Sequence, residues 1–111
     1  MNTPYWILSS KGKKYDALDT DLSTDYLVIG GGITGVTCLY LLTKEGLDAV
    51  LIDANQIGCG TSGRNTGKAT AQHGLIYSGI EKKYGLEKAK QYYDINTKAI
   101  RFIEERSKEF G

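Results

Sequence analysis

The chain has 111 residues, which is the size of one ordinary domain. Its 41% hydrophobic and 24% charged residues exclude a disordered or fibrous protein, and no apolar run approaches the roughly 18 residues of a membrane-spanning helix. The 14 basic and 13 acidic side chains leave a net charge of +1, so the sequence offers no electrostatic footprint for nucleic acid or an anionic membrane.

Cysteine and histidine are scarce. Two cysteines and one histidine are too few for a four-ligand zinc site, and we predict no metal site in this chain. The N-terminus lacks the basic and apolar regions of a secretory signal, so we expect a cytoplasmic protein with unpaired thiols. Cys38 is expected to be a core residue on a helix. For Cys59, a small residue that fits a glycine-rich loop is favoured over a redox or cofactor-attachment thiol.

Residues 1–24 form the first segment. They show no sustained period of 2 or 3.6 residues, and they carry Pro4, Gly12 and scattered charge. We interpret this segment as an extended leader, with Tyr5 and Trp6 as anchors against a core.

A strand–helix–strand unit follows. The run Tyr26–Ile29 is apolar, partly β-branched and ends in glycine, which predicts a buried strand of a parallel sheet. Apolar residues at helical spacing predict a helix over Ile33–Glu45. The run Ala49–Ile52 repeats the buried-strand pattern and stops at Asp53, which completes one βαβ unit with a right-handed crossover.

The rest of the chain is a long loop and two helices. A stretch rich in glycine and threonine continues to about Gly79 without a period, and loops of that length in a compact domain are usually functional. A short amphipathic segment is predicted over Ser78–Tyr84. One long helix is predicted over Leu86–Phe110, with an apolar stripe on one face and Lys and Glu on the other.

Glycine makes up 14 residues, about 13% of the chain against a usual roughly 7%. The first glycine cluster matches G-x-G-x-x-G between a predicted strand and a predicted helix, which is the context of a dinucleotide-binding turn. In that reading Gly30 permits the tight turn, Gly32 lets the backbone approach a pyrophosphate, and Gly35 lets the helix pack closely on the strand. Asp53 lies about 20 residues after Gly32, where a carboxylate holds the ribose hydroxyls and repels the 2′-phosphate of NADP.

The second cluster, Gly58–Gly67, favours FAD over NAD. Simple NAD domains lead from the second strand into another crossover, without a long glycine-rich excursion. A loop of small and hydroxyl-bearing residues can lie against a large flat cofactor and donate backbone N–H bonds to it.

With both clusters present, the sequence resembles the FAD-dependent amine and amino-acid oxidoreductases of the D-amino-acid oxidase superfamily. Within that superfamily it is most similar to the γ-glutamylputrescine oxidoreductase-like group and to relatives with a C-terminal Rieske domain. The resemblance covers about residues 4–105. It is carried by Pro4-Tyr5-Trp6, Leu18–Asp21, Asp25–Gly35, Leu51–Ala54, Gly58–Asn65 and Thr70–Leu75.

The resemblance implies FAD as the cofactor and assigns site residues. The first turn would shape the pyrophosphate site, Asp53 would bind the adenosine ribose, the second cluster would run along the pyrophosphate, and residues 66–73 would lie beside the flavin ring. The predicted cofactor-binding residues are Gly30, Gly32, Ile33, Thr34, Gly35, Asp53, Ala54, Gly60, Thr61, Ser62, Arg64, Asn65, Thr66 and His73.

Two of these residues keep alternatives open. Arg64 would pair with a cofactor phosphate or flavin oxygen, or would be a solvated surface charge. His73 precedes a glycine in a turn, so a role in positioning the backbone is favoured over proton transfer.

The fold class is therefore α/β, with the N-terminal βαβ portion of a Rossmann-like, glutathione-reductase-type FAD-binding domain that is incomplete. Residues 1–24 are the leader and residues 25–111 are the first part of the FAD domain. The rest of the FAD domain, the substrate domain, the catalytic residues and any Rieske [2Fe–2S] cluster are expected outside this chain, which would be inactive alone.

The resemblance implies that the parent protein dehydrogenates the C–N bond of a small-molecule amine or amino acid. Two alternatives remain: a dinucleotide-binding module without catalysis, and an FAD enzyme of another substrate class.

Overall fold

The computed structural model describes residues 3–9 and 13–110. They fall into two compact units, Met1–Thr66 and Gly67–Gly111. Each unit has its own elements.

The first unit begins with a short helix, α1, at Tyr5–Ser9. The sequence predicted an extended leader, and for this stretch that prediction was wrong. Proline is tolerated at a helix start because its missing N–H has no partner there. Here the carbonyl oxygen of Pro4 accepts the N–H bonds of Ile7 and Leu8, at 3.1 Å each, which closes the turn.

The βαβ unit is present as predicted. Strand β1 (Tyr26–Ile29), helix α2 (Ile33–Lys44) and strand β2 (Ala49–Ile52) follow one another, and the two strands pair in parallel. Their register places Tyr26 opposite Ala49 and Ile29 opposite Ile52. Because the strands run the same way, the loops after Ile29 and Ile52 leave from the same edge of the sheet.

Helix α2 ends one residue earlier than predicted, at Lys44. Gly46 adopts a φ of +75°, and its N–H donates to the carbonyl oxygen of Thr43 at 3.0 Å. The N–H of Leu47 donates to the carbonyl oxygen of Leu42 at 3.1 Å. These bonds cap carbonyl groups in the last turn of the helix.

The strands are much less buried than their apolar sequences predicted. Leu27 and Ile29 of β1 are 54% and 77% exposed, and the residues of β2 are half-buried. Cys38, expected in the core, is exposed. The reason is that α2 packs on the two strands from one side, and the described residues of this unit add no second layer of helices.

The second unit is a pair of packed helices, α3 (Ile76–Tyr84) and α4 (Leu86–Phe110). The prediction for α4 is confirmed, and α3 begins two residues before its predicted start. Gly85, with a φ of +87°, separates the two helices. The ring of Tyr77 on α3 lies edge-on to Tyr92 and Tyr93 on α4, with centroid distances of 5.8 and 6.1 Å.

Across the described residues, no helix combines the length and the apolar character that crossing a membrane requires.

Candidate cofactor-binding site

The turn between β1 and α2 depends on two glycines. Gly30 has a φ of +103°, and its N–H donates to the carbonyl oxygen of Ile52 at 2.8 Å, which extends the pairing of the strands by one bond. A Cβ placed on Gly35 would collide with the carbonyl oxygen of Gly30. The turn and the close helix packing predicted for these two glycines are therefore both present.

Asp53 ties the end of β2 to this turn. Its Oδ2 accepts the N–H of Gly31 at 2.7 Å, and its Oδ1 accepts the N–H of Asn55 at 2.7 Å. These two hydrogen bonds stabilise the charged form of the Asp53 carboxyl and hold its pKa below the usual value. The bond from Gly31 has the larger effect, and the bond from Asn55 has the smaller one. Gly31 is buried and Asp53 is half-buried.

The second glycine cluster lies directly against the first. The N–H of Gly58 donates to the carbonyl oxygen of Gly31 at 2.8 Å. The hydroxyl of Ser62 accepts the N–H of Ile33, the first residue of α2, at 2.8 Å. These two bonds bring both glycine-rich segments to the N-terminus of α2.

The second cluster is folded on itself around a single 3₁₀ turn, Thr61–Gly63. The side-chain amide of Asn65 donates to the carbonyl oxygens of Thr61 and Ser62, at 3.3 and 2.8 Å. The Nε of Arg64 donates to the carbonyl oxygen of Cys59 at 3.0 Å, so this exposed guanidinium is held at the loop.

The remaining predicted residues of the first unit border these contacts. Gly32 is the N-cap of α2, and Thr34 is exposed in its first turn. Ala54 is exposed directly after Asp53, and Gly60 is the N-cap of the 3₁₀ turn. Thr66 is exposed at the end of the unit.

His73 belongs to the second unit. Its Nδ1 lies 3.2 Å from the hydroxyl oxygen of Tyr92, and its carbonyl oxygen accepts the N–H of Ile76 at 3.4 Å, at the start of α3. The place beside the flavin ring that the resemblance implies for His73 stays a prediction.

Comparison with known proteins decides the family. Residues 25–111 match the sequence model of the family described as FAD dependent oxidoreductase. The chain belongs to this family. The predicted family is therefore confirmed, and the βαβ unit of the structure agrees with the predicted α/β class.

Three relatives illustrate the range of these FAD-dependent oxidoreductases. The chain is 46% identical over 99 residues to the Bacillus subtilis protein YhfW, whose name describes a Rieske 2Fe-2S iron–sulfur protein. It is 32% identical over 106 residues to gamma-glutamylputrescine oxidoreductase of Escherichia coli. It is 36% identical over 74 residues to 4-methylaminobutanoate oxidase (formaldehyde-forming) of Paenarthrobacter nicotinovorans.

The matched regions cover 89%, 96% and 66% of this chain, in the same order. They cover only 19%, 25% and 9% of the relatives, so the chain spans a quarter or less of each relative's length. No solved structure matches the chain significantly.

The residues at the edge of the sheet fit the chemistry of a dinucleotide. Ile33, Thr34 and Gly35 lie in the first turn of α2, where backbone N–H groups have no intrahelical partner and the helix dipole favours an anion. A carboxylate has about four lone-pair sites, so Asp53 keeps acceptor capacity beyond its two backbone bonds. A Cβ on Gly32 would lie 3.3 Å from the hydroxyl of Ser62 and would narrow the space beside that turn.

The sequence did not predict the contacts that three residues make in this site. Gly31 stands at a variable position of the fingerprint, yet both its N–H and its carbonyl join other segments. Its place in a run of three glycines was the available signal. Gly58 joins the two clusters. Trp6 was expected to contact a core, but its indole N–H donates to the carbonyl oxygen of Asn65 at 2.9 Å. No sequence pattern indicated that partner.

Proposed function

We propose that this chain holds the pyrophosphate and adenosine ribose of FAD in an enzyme that dehydrogenates the C–N bond of an amine or amino acid. The observation that carries the proposal is the junction of both glycine-rich segments with Asp53 at the N-terminus of α2. Family membership supports FAD as the cofactor. The names of two relatives, which act on a glutamylated diamine and on a methylamino acid, support the substrate class.

Each part of the junction has a role in this proposal. The N–H groups of Thr34 and Gly35 donate to the pyrophosphate, and the dipole of α2 favours its negative charge. The carboxylate of Asp53 accepts the hydroxyls of the adenosine ribose. The guanidinium of Arg64, held by Cys59, faces the second phosphate or the polar edge of the flavin.

In this proposal the residues of this chain bind and orient the cofactor, and they do not react with the substrate. When bound, FAD supplies the redox chemistry by accepting hydride from the carbon next to the substrate nitrogen. The substrate loses two electrons and two protons to become an imine, and water then converts the imine to a carbonyl compound and a free amine or ammonia. The groups that orient the amine belong to the rest of the protein.

The name of one relative extends the proposal to the electron acceptor. A Rieske cluster requires two cysteines and two histidines, and this chain has a single histidine. We therefore propose that a [2Fe–2S] cluster, if the full-length protein has one, is held by residues outside this chain.

The test uses the full-length protein. We expect it to purify with a flavin absorbance spectrum, and we expect amines or amino acids to bleach that spectrum under anaerobic conditions with release of a carbonyl product. A protein that purifies without flavin and cannot be reconstituted with FAD overturns the cofactor. Bleaching by alcohols and not by amines or amino acids overturns the substrate class, and bleaching by none of these compounds leaves a binding module without this activity.

A matched pair of variants tests the site itself. Gly32→Val places two methyl groups beside the hydroxyl of Ser62, and we expect it to abolish FAD retention. Gly79→Val is the control, because it adds the same side chain at a position where a Cβ has open space around it. Normal FAD retention in Gly32→Val would mean that the turn has only a structural role.

A further inference from the structure

The leader helix lies against the second glycine cluster. The indole N–H of Trp6 donates to the carbonyl oxygen of Asn65 at 2.9 Å, although the two residues are 59 positions apart. The side chain of Ile7 lies next to Gly63, where a Cβ would come within 3.2 Å of the Ile7 Cγ1. We call these two contacts the leader clamp.

The clamp connects to the N-terminus of α2 in two further steps. The side-chain amide of Asn65 donates to the carbonyl oxygen of Ser62 at 2.8 Å. The hydroxyl of Ser62 in turn accepts the N–H of Ile33 at 2.8 Å. A continuous set of hydrogen bonds therefore runs from the leader, through the second glycine cluster, to the turn where the pyrophosphate is proposed to bind.

A glycine-rich loop needs such support for a physical reason. Glycine loses more conformational freedom on ordering than any other residue. If a loop becomes ordered only when the cofactor binds, its loss of conformational entropy lowers the affinity for the cofactor. A loop that is already ordered does not lower the affinity in this way. The leader clamp holds the loop at Gly63 and Asn65, on either side of Arg64.

We propose that the leader clamp positions the loop of residues 58–65 for FAD, with Trp6 as the positioning residue. The proposal rests on the proposed FAD site. Trp6 has no contact with the cofactor in this scheme. It acts through Asn65 and Ser62, and its effect is on the affinity for FAD.

Each of two variants removes one contact of the clamp, and a control variant leaves both contacts intact. Trp6→Phe keeps an aromatic ring and loses the N–H donor. Ile7→Ala shortens the side chain next to Gly63 and keeps the indole bond. Leu8→Ala changes a neighbouring residue of the same helix whose side chain is 70% exposed.

The first measurement is the dissociation constant of FAD, from flavin fluorescence on reconstitution of the flavin-free full-length protein. The second is the rate of trypsin cleavage after Arg64, which lies inside the loop, relative to cleavage after Lys44, which ends α2 in the same unit. Global destabilisation raises both cleavage rates. Loss of the clamp raises only the cleavage after Arg64.

We expect Trp6→Phe to weaken FAD binding by about 2- to 10-fold, which corresponds to one hydrogen bond, and to raise the Arg64-to-Lys44 cleavage ratio by a similar factor. Ile7→Ala is expected to change both quantities in the same direction, and Leu8→Ala neither. If wild type binds FAD and both clamp variants bind it as tightly as Leu8→Ala does, the clamp proposal is overturned and the FAD site stands. If wild type binds no FAD, the proposed function fails first.

Discussion

At the scale of single residues, Asp53 joins the turn after β1 to the segment that follows β2. Its two carboxylate oxygens accept N–H groups from the turn after β1 and from the residues after β2. Both bonds favour the charged carboxylate, so protonation weakens them. The end of the second strand and the first glycine turn are therefore coupled through one ionisable group.

This coupling predicts a specific dependence on pH. A carboxyl whose pKa is lower in the folded state stabilises the fold above its ordinary pKa of about 4, and that contribution is lost as the pH falls through the folded pKa. We expect Asp53→Asn to lower the melting temperature of the full-length protein near neutral pH. The difference from wild type should narrow below about pH 4. If the difference in melting temperature between wild type and Asp53→Asn stays constant from pH 7 to pH 3, the charge of Asp53 does not have this role.

Gly35 gives a second prediction at this scale. Replacing a glycine inside a helix by alanine normally stabilises it by up to about 1 kcal/mol. At Gly35 the added Cβ would collide with the backbone of Gly30, so we expect Gly35→Ala to destabilise the protein by about 1–3 kcal/mol.

Gly79→Ala in α3 is the matched control. It adds the same methyl group in open space and is expected to be neutral or stabilising. Chemical denaturation of the two variants gives the comparison. Stabilisation by both substitutions would show that α2 does not need to approach β1 so closely.

At the scale of elements, the pair α3–α4 is joined by tyrosines. The hydroxyl of Tyr77 donates to the carbonyl oxygen of Ala71, and the ring packs against Tyr92 and Tyr93. Burial, and then the neighbouring phenols of Tyr92 and Tyr93, raise the pKa of Tyr77 above its usual value. Both effects disfavour a phenolate inside the helix pair.

The raised pKa predicts that alkaline pH destabilises this helix pair. A group with a raised folded pKa contributes stability below its ordinary pKa of about 10, and the contribution is lost as the pH rises through the folded pKa. We expect Tyr77→Phe to lose less helical circular dichroism than wild type between about pH 9 and pH 12. Tyr84→Phe, which changes a 60% exposed tyrosine of α3, should behave as wild type. If wild type, Tyr77→Phe and Tyr84→Phe lose helical circular dichroism equally at alkaline pH, ionisation of Tyr77 is not the cause of the destabilisation.

Most elements were predictable because their signals are local. The strands Tyr26–Ile29 and Ala49–Ile52 have the predicted bounds, and the helix ends differ from prediction by two residues at most. Strand runs and helical periodicity depend only on neighbours in the sequence. Helix α1 was not predicted, because five residues are too few to show a helical period.

At the scale of the whole molecule, the main feature is how little of the chain is buried. Among the described residues only Gly31 and Ala89 are buried, and Ala89 alone contributes an apolar side chain. Ordering the backbone costs about 1–2 kcal/mol per residue, which burial of apolar side chains normally offsets. The described residues by themselves provide very little of that compensation.

We therefore expect the 111-residue chain, expressed alone, to unfold over a broad temperature range and to bind dyes that recognise exposed apolar surface. Circular dichroism and dye fluorescence during heating measure both properties. A sharp, cooperative unfolding transition without dye binding would contradict this prediction.

The contacts of the candidate site were less predictable than its residues. The fingerprint and Asp53 follow a known spacing, so the turn and its acid could be located from sequence. The bonds from Ile33 to Ser62 and from Trp6 to Asn65 join residues 29 and 59 positions apart, through loops without a period. The burial of β1 was overestimated. An apolar strand sequence indicates that other elements should pack on both of its faces, but it does not show which residues form those elements.

The bond between Trp6 and Asn65 also has a consequence for biosynthesis. Translation proceeds at roughly 5–20 residues per second, so about 3–12 s pass between the synthesis of Trp6 and that of its acceptor 59 positions later. During that interval α2 and both strands are synthesised, and the carbonyl oxygen that accepts the indole N–H does not yet exist. The leader is therefore made before its acceptor, and the bond between Trp6 and Asn65 cannot form until residue 65 has been added to the chain.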